Sequence, residues 1–284
     1  MKTIAGDGML LRFATAFSLI PIIVAVVWWP PLKFAYVGMI GVLVLLGAFE
    51  FFKMARQASI EVVSTVTIIL AVVLALTAGF SDTLLVAPEL FLLIAVFIIL
   101  IMHMFSMKHT IAGMSTSVFG LVYVGYLGSF FIRLHNYGAI GPALVTILIV
   151  TIGCSDTGAY LIGKAVGKHK LAPRISPKKT VEGSVAALLC GAGAGAILYG
   201  LQHEMEWSSY PKWPLGIYMV VGLYLSVVGQ FGDLTESLMK RNSGIKDSGS
   251  IFPGHGGALD RCDAFLFGAP ALSILIHIFE LVSI

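Results

Sequence analysis

The densest concentration of reactive side chains lies in residues 237–263, which read SLMKRNSGIKDSGSIFPGHGGALDRCD. Basic side chains and glycine N–H groups bind phosphates, and carboxylates hold hard cations such as Mg²⁺. A stretch that mixes all of these predicts a site for polyanionic substrates. Its candidate catalytic and binding residues are Lys240, Arg241, Lys246, Asp247, Gly254, His255, Gly256, Gly257, Asp260, Arg261 and Asp263.

Two motifs place acids at helical spacing. In GDLTESLMKR, Asp233, Glu236 and Lys240 share one helix face, and in LDRCD the acids Asp260 and Asp263 are three positions apart. Carboxylates at the mouth of a membrane span need water, a cation or a basic partner, because bare charge is costly inside the bilayer. Donor sets made only of oxygen favour Mg²⁺ over zinc. A solvated helix end, or neutralisation by nearby Lys and Arg, is the simpler alternative.

The PGHGG sequence lies directly before the helix that LDRCD is expected to begin. Glycines let backbone N–H groups approach a ligand closely, and a helix N-terminus adds partial positive charge. This pattern predicts a phosphate-binding loop, although PGHGG in isolation is more often an ordinary turn. His255 either donates a hydrogen bond to phosphate or braces the loop.

A second polar stretch, residues 161–182, follows SDTGAY and ends in SPKKTVEG. Its lysines and hydroxyls at a predicted helix start favour phosphate binding, while its six basic residues would also anchor the chain to anionic headgroups. Both interpretations remain open. The candidate substrate-binding residues here are Asp156, Ser176, Lys178, Lys179, Thr180 and Glu182.

The remainder of the chain is strongly apolar, with 58% hydrophobic and 12% charged residues and a mean hydropathy of +0.95. Average soluble domains carry about 25% charged residues. Runs of near-spanning length recur throughout, so we expect an all-α polytopic membrane protein. The nine predicted spans are 10–29, 33–52, 63–80, 88–106, 115–132, 139–160, 183–201, 215–232 and 264–282.

A cytoplasmic N-terminus and an outer C-terminus place 15 of the 18 Lys and Arg residues on the inner side. That bias matches the positive-inside rule. The fifth span is the weakest because it contains glycines and hydroxyls, yet omitting it spoils the bias. We therefore predict one integral membrane domain, 1–284, with cytoplasmic active-site segments at 161–182 and 233–263.

The pattern S-x-x-K-R-x4-K-D-x-G-x3-P-G-H-G-G-x-x-D-R-x-D in residues 237–263 resembles the signature of the phosphatidate cytidylyltransferase, or CDP-diacylglycerol synthase, family. The similarity extends to GDLTES, SDTGAY, GKHKLAP, SPKKTVEG, RFATAFSLIP and the span that ends in Glu50, and so covers essentially the whole chain. Ala258 and Cys262 replace the usual aliphatic residues at two signature positions. Neither change removes a charged group.

This resemblance implies transfer of a cytidylyl group from CTP to phosphatidate, which yields CDP-diacylglycerol and pyrophosphate for phospholipid biosynthesis. It also implies a dimeric protein of the bacterial inner (plasma) membrane whose active site faces the cytoplasm, with Mg²⁺ as cofactor and K⁺ as a candidate second cation. By motif match, the metal ligands would be Asp233, Asp260 and Asp263. The phosphate contacts would come from Lys240, Arg241, Lys246, Arg261 and the SPKKT lysines.

Two other functions fit parts of the pattern. A CTP-using lipid-alcohol kinase would also need a metal and a basic inner face, but it would release CDP. A secondary transporter would place its polar groups near the bilayer midplane, whereas these groups cluster at one face. Nucleic-acid binding is not expected, because the basic charge follows the membrane face.

Overall fold

The computed structural model describes residues 20–80, 88–106, 110–205, 208–249, 251 and 256–282. Within these residues α-helices dominate, and the sheet they contain is one two-stranded hairpin. The predicted all-α membrane class is confirmed. The chain divides into two compact units, one drawn from 1–133 and 242–262 and the other from 134–241 and 263–284.

The first unit is built mainly from helices at the start of the chain. An aromatic group of Phe51, Phe52 and Tyr123 packs in its core, where Phe51 contacts both of the other rings. Its elements are a 3₁₀ turn at Pro30–Leu32, α1 (Lys33–Gln57), α2 (Ser64–Thr77), α3 (Pro88–Met104), α4 (Ile111–Gly120), a π-helical turn at Leu121–Tyr126, and most of α5 (Leu127–His135).

The second unit holds the hairpin and most of the remaining helices. The hairpin strands are antiparallel, with Lys170 opposite Thr180 and Ala172 opposite Ser176. The elements are a 3₁₀ turn at Gly138–Ile140, α6 (Gly141–Val166), β1 (Lys170–Ala172), β2 (Ser176–Thr180), α7 (Val181–Met205) and α8 (Leu215–Asn242), with α9 (Leu259–Leu281) from Asp263 onward.

Six described helical stretches are long and apolar enough to cross a membrane, which agrees with a multi-pass protein, and the predicted count of nine is not confirmed. They are Pro30–Gln57, Ile111–His135, Gly138–Val166, Val181–Met205, Leu215–Asn242 and Leu259–Leu281. The predicted third and fourth spans are shorter helices. At about 1.5 Å per residue, the 14 residues of α2 reach roughly 21 Å, less than a hydrocarbon core of about 30 Å.

The first and fifth predicted spans differ in outcome. Half of the first, residues 10–19, lies outside the described residues, and residues 20–28 of its other half are helical. The fifth falls within Ile111–His135, a continuous helical stretch that passes through the π-helical turn. A Cβ at Gly125 in that turn would lie 2.8 Å from the Ala71 Cα, so the glycine permits close packing on α2. The orientation of the termini stays a prediction.

Helices α7 and α8 meet backbone to backbone. A Cβ at Gly191 would collide with the Ser226 hydroxyl and the Gly222 carbonyl oxygen, and one at Gly195 would collide with the Tyr218 carbonyl oxygen. Small residues four apart allow this kind of close approach between membrane helices. The crossing therefore sets how near the start of α7 comes to the end of α8.

Candidate active site

The first group of site residues lies in the second unit, where β2 ends and α8 carries Asp233. The Lys179 ammonium nitrogen is 2.6 Å from Asp233 Oδ2, and the Ser237 hydroxyl donates to Asp233 Oδ1 at 3.3 Å. Successive strand residues point to opposite faces, so Lys178 is exposed while only 21% of the Lys179 side chain is. The structure thus separates two lysines that the sequence left equivalent.

One turn further along α8, Glu236 is fully buried and forms an ion pair with Lys240. The side chain of Lys240 is only 13% exposed. A buried ion pair tolerates the loss of one partner poorly, because the remaining charge is left without compensation. Lys240, predicted to contact phosphate, is therefore held in this structure by an acid that was not among the predicted site residues.

Asp263 on α9 lies against the part of α8 that carries Asp233. A Cβ at Gly232 would sit 3.0 Å from the Ala264 Cα and would collide with the Asp263 carbonyl oxygen, so the two helices touch here. The Asp263 carboxylate interacts electrostatically with Asp233, Lys240 and Asp156. Three predicted acids thus share one region with two lysines.

Among the described residues, no group of three or more His, Cys, Asp or Glu side chains is placed to hold a metal ion. Mg²⁺ is commonly bound by one or two carboxylates together with substrate phosphates rather than by a complete protein cage. Asp233 and Asp263 offer two carboxylates of that kind, and their electrostatic interaction would favour a bound cation between them. The donor chemistry therefore fits Mg²⁺ that arrives with a phosphorylated substrate.

The hairpin is closed by residues that the sequence assigned to substrate binding. Glu182 accepts hydrogen bonds from the backbone N–H of His169 at 3.2 Å and pairs with its Nδ1 at 2.7 Å. The buried Thr180 caps α7, because its hydroxyl oxygen accepts from the Gly183 N–H at 3.2 Å. Ser176 lies on β2. These contacts give Glu182 and Thr180 a structural role, and their substrate contacts remain predictions.

The second group of site residues lies in the first unit, around the start of α9. The Asp260 Oδ2 atom accepts hydrogen bonds from the N–H of Ser248 at 2.9 Å and of Gly257 at 2.9 Å. The Ser248 hydroxyl lies 3.0 Å from the same oxygen and 2.9 Å from Oε2 of Glu50. A hydroxyl has one hydrogen to donate, so it bridges two carboxylates but donates to one at a time.

The remaining predicted residues are exposed, make other contacts, or lie outside the described residues. Lys246, Asp247 and Arg261 are exposed, and Arg241 donates from Nε to the Ile175 carbonyl oxygen at 3.2 Å. Gly256 has φ of +84°, a conformation that favours glycine. Gly254 and His255 lie outside the described residues, so the role of the histidine stays open.

These contacts bring forward polar residues that were not among the predicted site residues. Glu236, named above only for its helix face, and Ser248 are buried, and Ser184 donates a hydrogen bond to Gln230 between α7 and α8. In the sequence, Glu50 is identified only as the acid that ends one of the apolar spans. An acid near the inner end of an apolar span was the available signal, because such a group must find buried donors.

Comparison with known proteins identifies the family. The cytidylyltransferase family matches residues 10–279. A phosphatidate cytidylyltransferase of Synechocystis sp. is 38% identical over 260 residues, which cover 81% of this chain and 84% of that protein. Proteins of the same name match over 161 residues, at 43% identity in Staphylococcus aureus and 42% in Bacillus subtilis. Those two alignments cover 56% of this chain and 59% and 56% of the respective relatives.

The family match extends over both groups of site residues, and both the motifs and the helical architecture agree with it. The chain therefore belongs to the cytidylyltransferase family.

Proposed function

We propose that this protein transfers the cytidylyl group of CTP to phosphatidate, forming CDP-diacylglycerol and pyrophosphate. The family match and the relatives named phosphatidate cytidylyltransferase support this reaction. The single structural observation that carries it is the Lys179–Asp233 pair with Asp263 beside it, since this group joins a cation for phosphate to carboxylates for a metal.

In this reaction a phosphate oxygen of phosphatidate attacks the α-phosphorus of CTP. A new P–O bond forms, the bond to the β-phosphate oxygen breaks, and pyrophosphate leaves. A phosphate monoester has a second pKa of about 6, so the nucleophile is largely ionised at neutral pH and needs little help from a base. The task left to the protein is to bring two polyanions together.

Lys179 is suited to that task because its partner is exchangeable. In the structure Asp233 neutralises its charge at 2.6 Å. An incoming phosphate competes for the lysine, and the Asp233 carboxylate then becomes available as a ligand. Lys240, Arg241, Lys246 and Arg261 would supply further phosphate contacts.

Mg²⁺ would be held by Asp233 and Asp263, with Asp260 as the third predicted ligand. Such an ion neutralises charge on phosphate oxygens and helps to align the reacting groups. Asp156, a predicted substrate-binding residue, interacts electrostatically with Asp263 and would also influence this site. K⁺ as a second cation remains a proposal on family resemblance alone.

The enzyme would act in a bacterial inner membrane, as a homodimer, with its site open to the cytoplasm. The positive-inside bias of the sequence supports this orientation. A water-facing site at the inner leaflet would take CTP from solution, while the acyl chains of phosphatidate stay in the bilayer.

The test is to incubate purified protein with cytidine-labelled CTP, phosphatidate and Mg²⁺. We expect a lipid-soluble labelled product and one pyrophosphate per turnover. Release of CDP without a labelled lipid would instead identify a kinase. Uptake of a solute into vesicles without CTP turnover would identify a transporter.

A further inference from the structure

One buried acid in the first unit is neither a predicted metal ligand nor a predicted substrate contact. Glu50 lies near the C-terminal end of α1 and is 2% exposed. A carboxylate withdrawn from water is unfavourable unless hydrogen bonds replace its lost hydration. The hydrogen-bond donors around this side chain therefore indicate which part of the protein it stabilises.

Glu50 binds the beginning of α9. Its Oε1 atom accepts from the Ala258 N–H at 3.0 Å, and its Oε2 atom accepts from the Leu259 N–H at 2.9 Å. The Ser248 hydroxyl lies 2.9 Å from Oε2. The first N–H groups of a helix lack partners within the helix and carry partial positive charge, so an acid from α1 caps α9 from outside.

The loop before α9 is shaped around this carboxylate. A Cβ at Gly249 would collide with Glu50 Oε1, and a Cβ at Gly257 would collide with Glu50 Oε2 and the Ser248 hydroxyl. Both glycines therefore allow the backbone to approach the acid. Because the acid is held by several donors, it cannot swing aside without breaking hydrogen bonds.

We propose that Glu50 is a positioning residue for cytidylyl transfer, a role that rests on the proposed function. It holds the Ser248 hydroxyl and the N–H groups of Ala258 and Leu259, and these residues in turn orient Asp260 at the start of α9. The N–H groups of Ser248 and Gly257 bind Asp260 Oδ2 at 2.9 Å. Movement of Ser248 or of the start of α9 would misplace the acid that opens the DRxD motif.

The primary test compares Glu50→Gln with Glu204→Gln, an exposed acid outside the site. The amide would direct an NH₂ group at N–H donors, so we expect kcat to fall at least tenfold while the KM for CTP changes less than threefold. The folded fraction, followed by size exclusion and thermal unfolding in detergent, should stay close to that of the control. A lowered unfolding temperature with unchanged kcat would show a purely structural role and overturn the proposal.

If Glu50→Gln yields too little folded protein, Ser248→Ala provides a second test of the positioning role. This change removes only the hydroxyl between Glu50 and Asp260. We expect a threefold to tenfold loss of kcat in folded protein, and no loss would overturn the proposal.

A double-mutant cycle adds a prediction that general destabilisation would not produce. Gly249→Ala pushes a methyl group into the Glu50 carboxylate, and Glu50→Asp withdraws that carboxylate by one methylene. The double variant should therefore lose less kcat than the two single losses combined. Gly38→Ala, whose Cβ would meet open space on α1, is the matched control. If the fold-loss of kcat in the double variant equals the product of the two single-variant losses, the proposal is contradicted.

The two proposals fail in different ways. If wild-type protein makes product and Glu50→Gln is equally active, only the positioning role is overturned. If purified wild-type protein makes no CDP-diacylglycerol, both proposals fall.

Discussion

Two clusters place carboxylates at helix ends, yet they are neutralised differently. Around α9 in the first unit, Glu50 and Asp260 receive hydrogen bonds from backbone N–H groups and one serine. In the second unit, Asp233 and Glu236 are paired with Lys179 and Lys240. Backbone donors cannot leave, whereas a lysine can exchange a carboxylate for a phosphate. This difference fits the two proposals, in which Glu50 positions Asp260 in the first cluster and the second cluster binds substrate.

The largest effect is expected at Asp263. Asp263→Asn removes a metal ligand of the proposed site and should lower turnover by about 100- to 1000-fold, the range found when one electrostatic contact to a reacting group is lost. The fold should persist, because the change also removes repulsion from Asp233 and Asp156. The formation of labelled lipid measures turnover, and thermal unfolding measures whether the fold persists. Near-normal turnover in folded protein would remove the second cluster from the chemistry.

Lys179 and Lys178 provide a matched pair on one strand. Lys179→Ala should reduce turnover about 100-fold, because the cation beside Asp233 is lost. Lys178→Ala should change it less than threefold, because that side chain is exposed. Steady-state kinetics with CTP and phosphatidate would check both. Equal losses would mean that the two faces of β2 do not differ in function.

Glu236 tests whether the deeper lysine pair is structural. Glu236→Gln leaves Lys240 buried without its acid and should destabilise the protein by about 3–5 kcal/mol. The double variant Glu236→Gln with Lys240→Met should recover part of that loss, because no buried ammonium then lacks the Glu236 carboxylate. Thermal unfolding in detergent measures the stability of the wild-type protein, the single variant and the double variant. Unchanged stability in Glu236→Gln would show that the pair is dispensable for folding.

Thr180 should give the smallest effect. Thr180→Ala removes the cap of α7 and should cost about 1 kcal/mol of stability. Thr180→Ser keeps the oxygen and is the matched control. If the threonine only caps the helix, the KM for CTP will be unchanged in both variants. A raised KM in Thr180→Ala alone would instead support the predicted substrate contact.

Hydropathy and the positions of charged motifs predicted much of this molecule. Apolar runs located the long helices, and the spacing of Asp233 and Lys240 correctly indicated a helix end. The predicted count of nine spans is not confirmed, because among the described helices α2 and α3 are apolar but short. Apolar composition alone does not fix the length of a helix.

The finer arrangement of the site depended on contacts that a linear pattern does not contain. Adjacent lysines look alike in sequence, and only the strand geometry turns Lys179 toward Asp233. Glu50 lies about 200 positions from the amide groups that it caps, so no local spacing links them. Gly257, in PGHGG, suggested phosphate binding or a turn, and neither it nor Gly249 suggested room for a carboxylate.

The glycine crossing of α7 and α8 has a consequence for how the enzyme responds to its lipid surroundings. Lys179 lies two residues before α7 begins, and Asp233 follows Gly222 on α8. The crossing therefore influences the distance between the Lys179 ammonium and the Asp233 carboxylate. Because main-chain atoms are in direct contact, no intervening side chains can repack to change the distance between the two helices. Changes in bilayer thickness or acyl composition would therefore tilt this helix pair as a unit and leave the lysine–aspartate spacing intact.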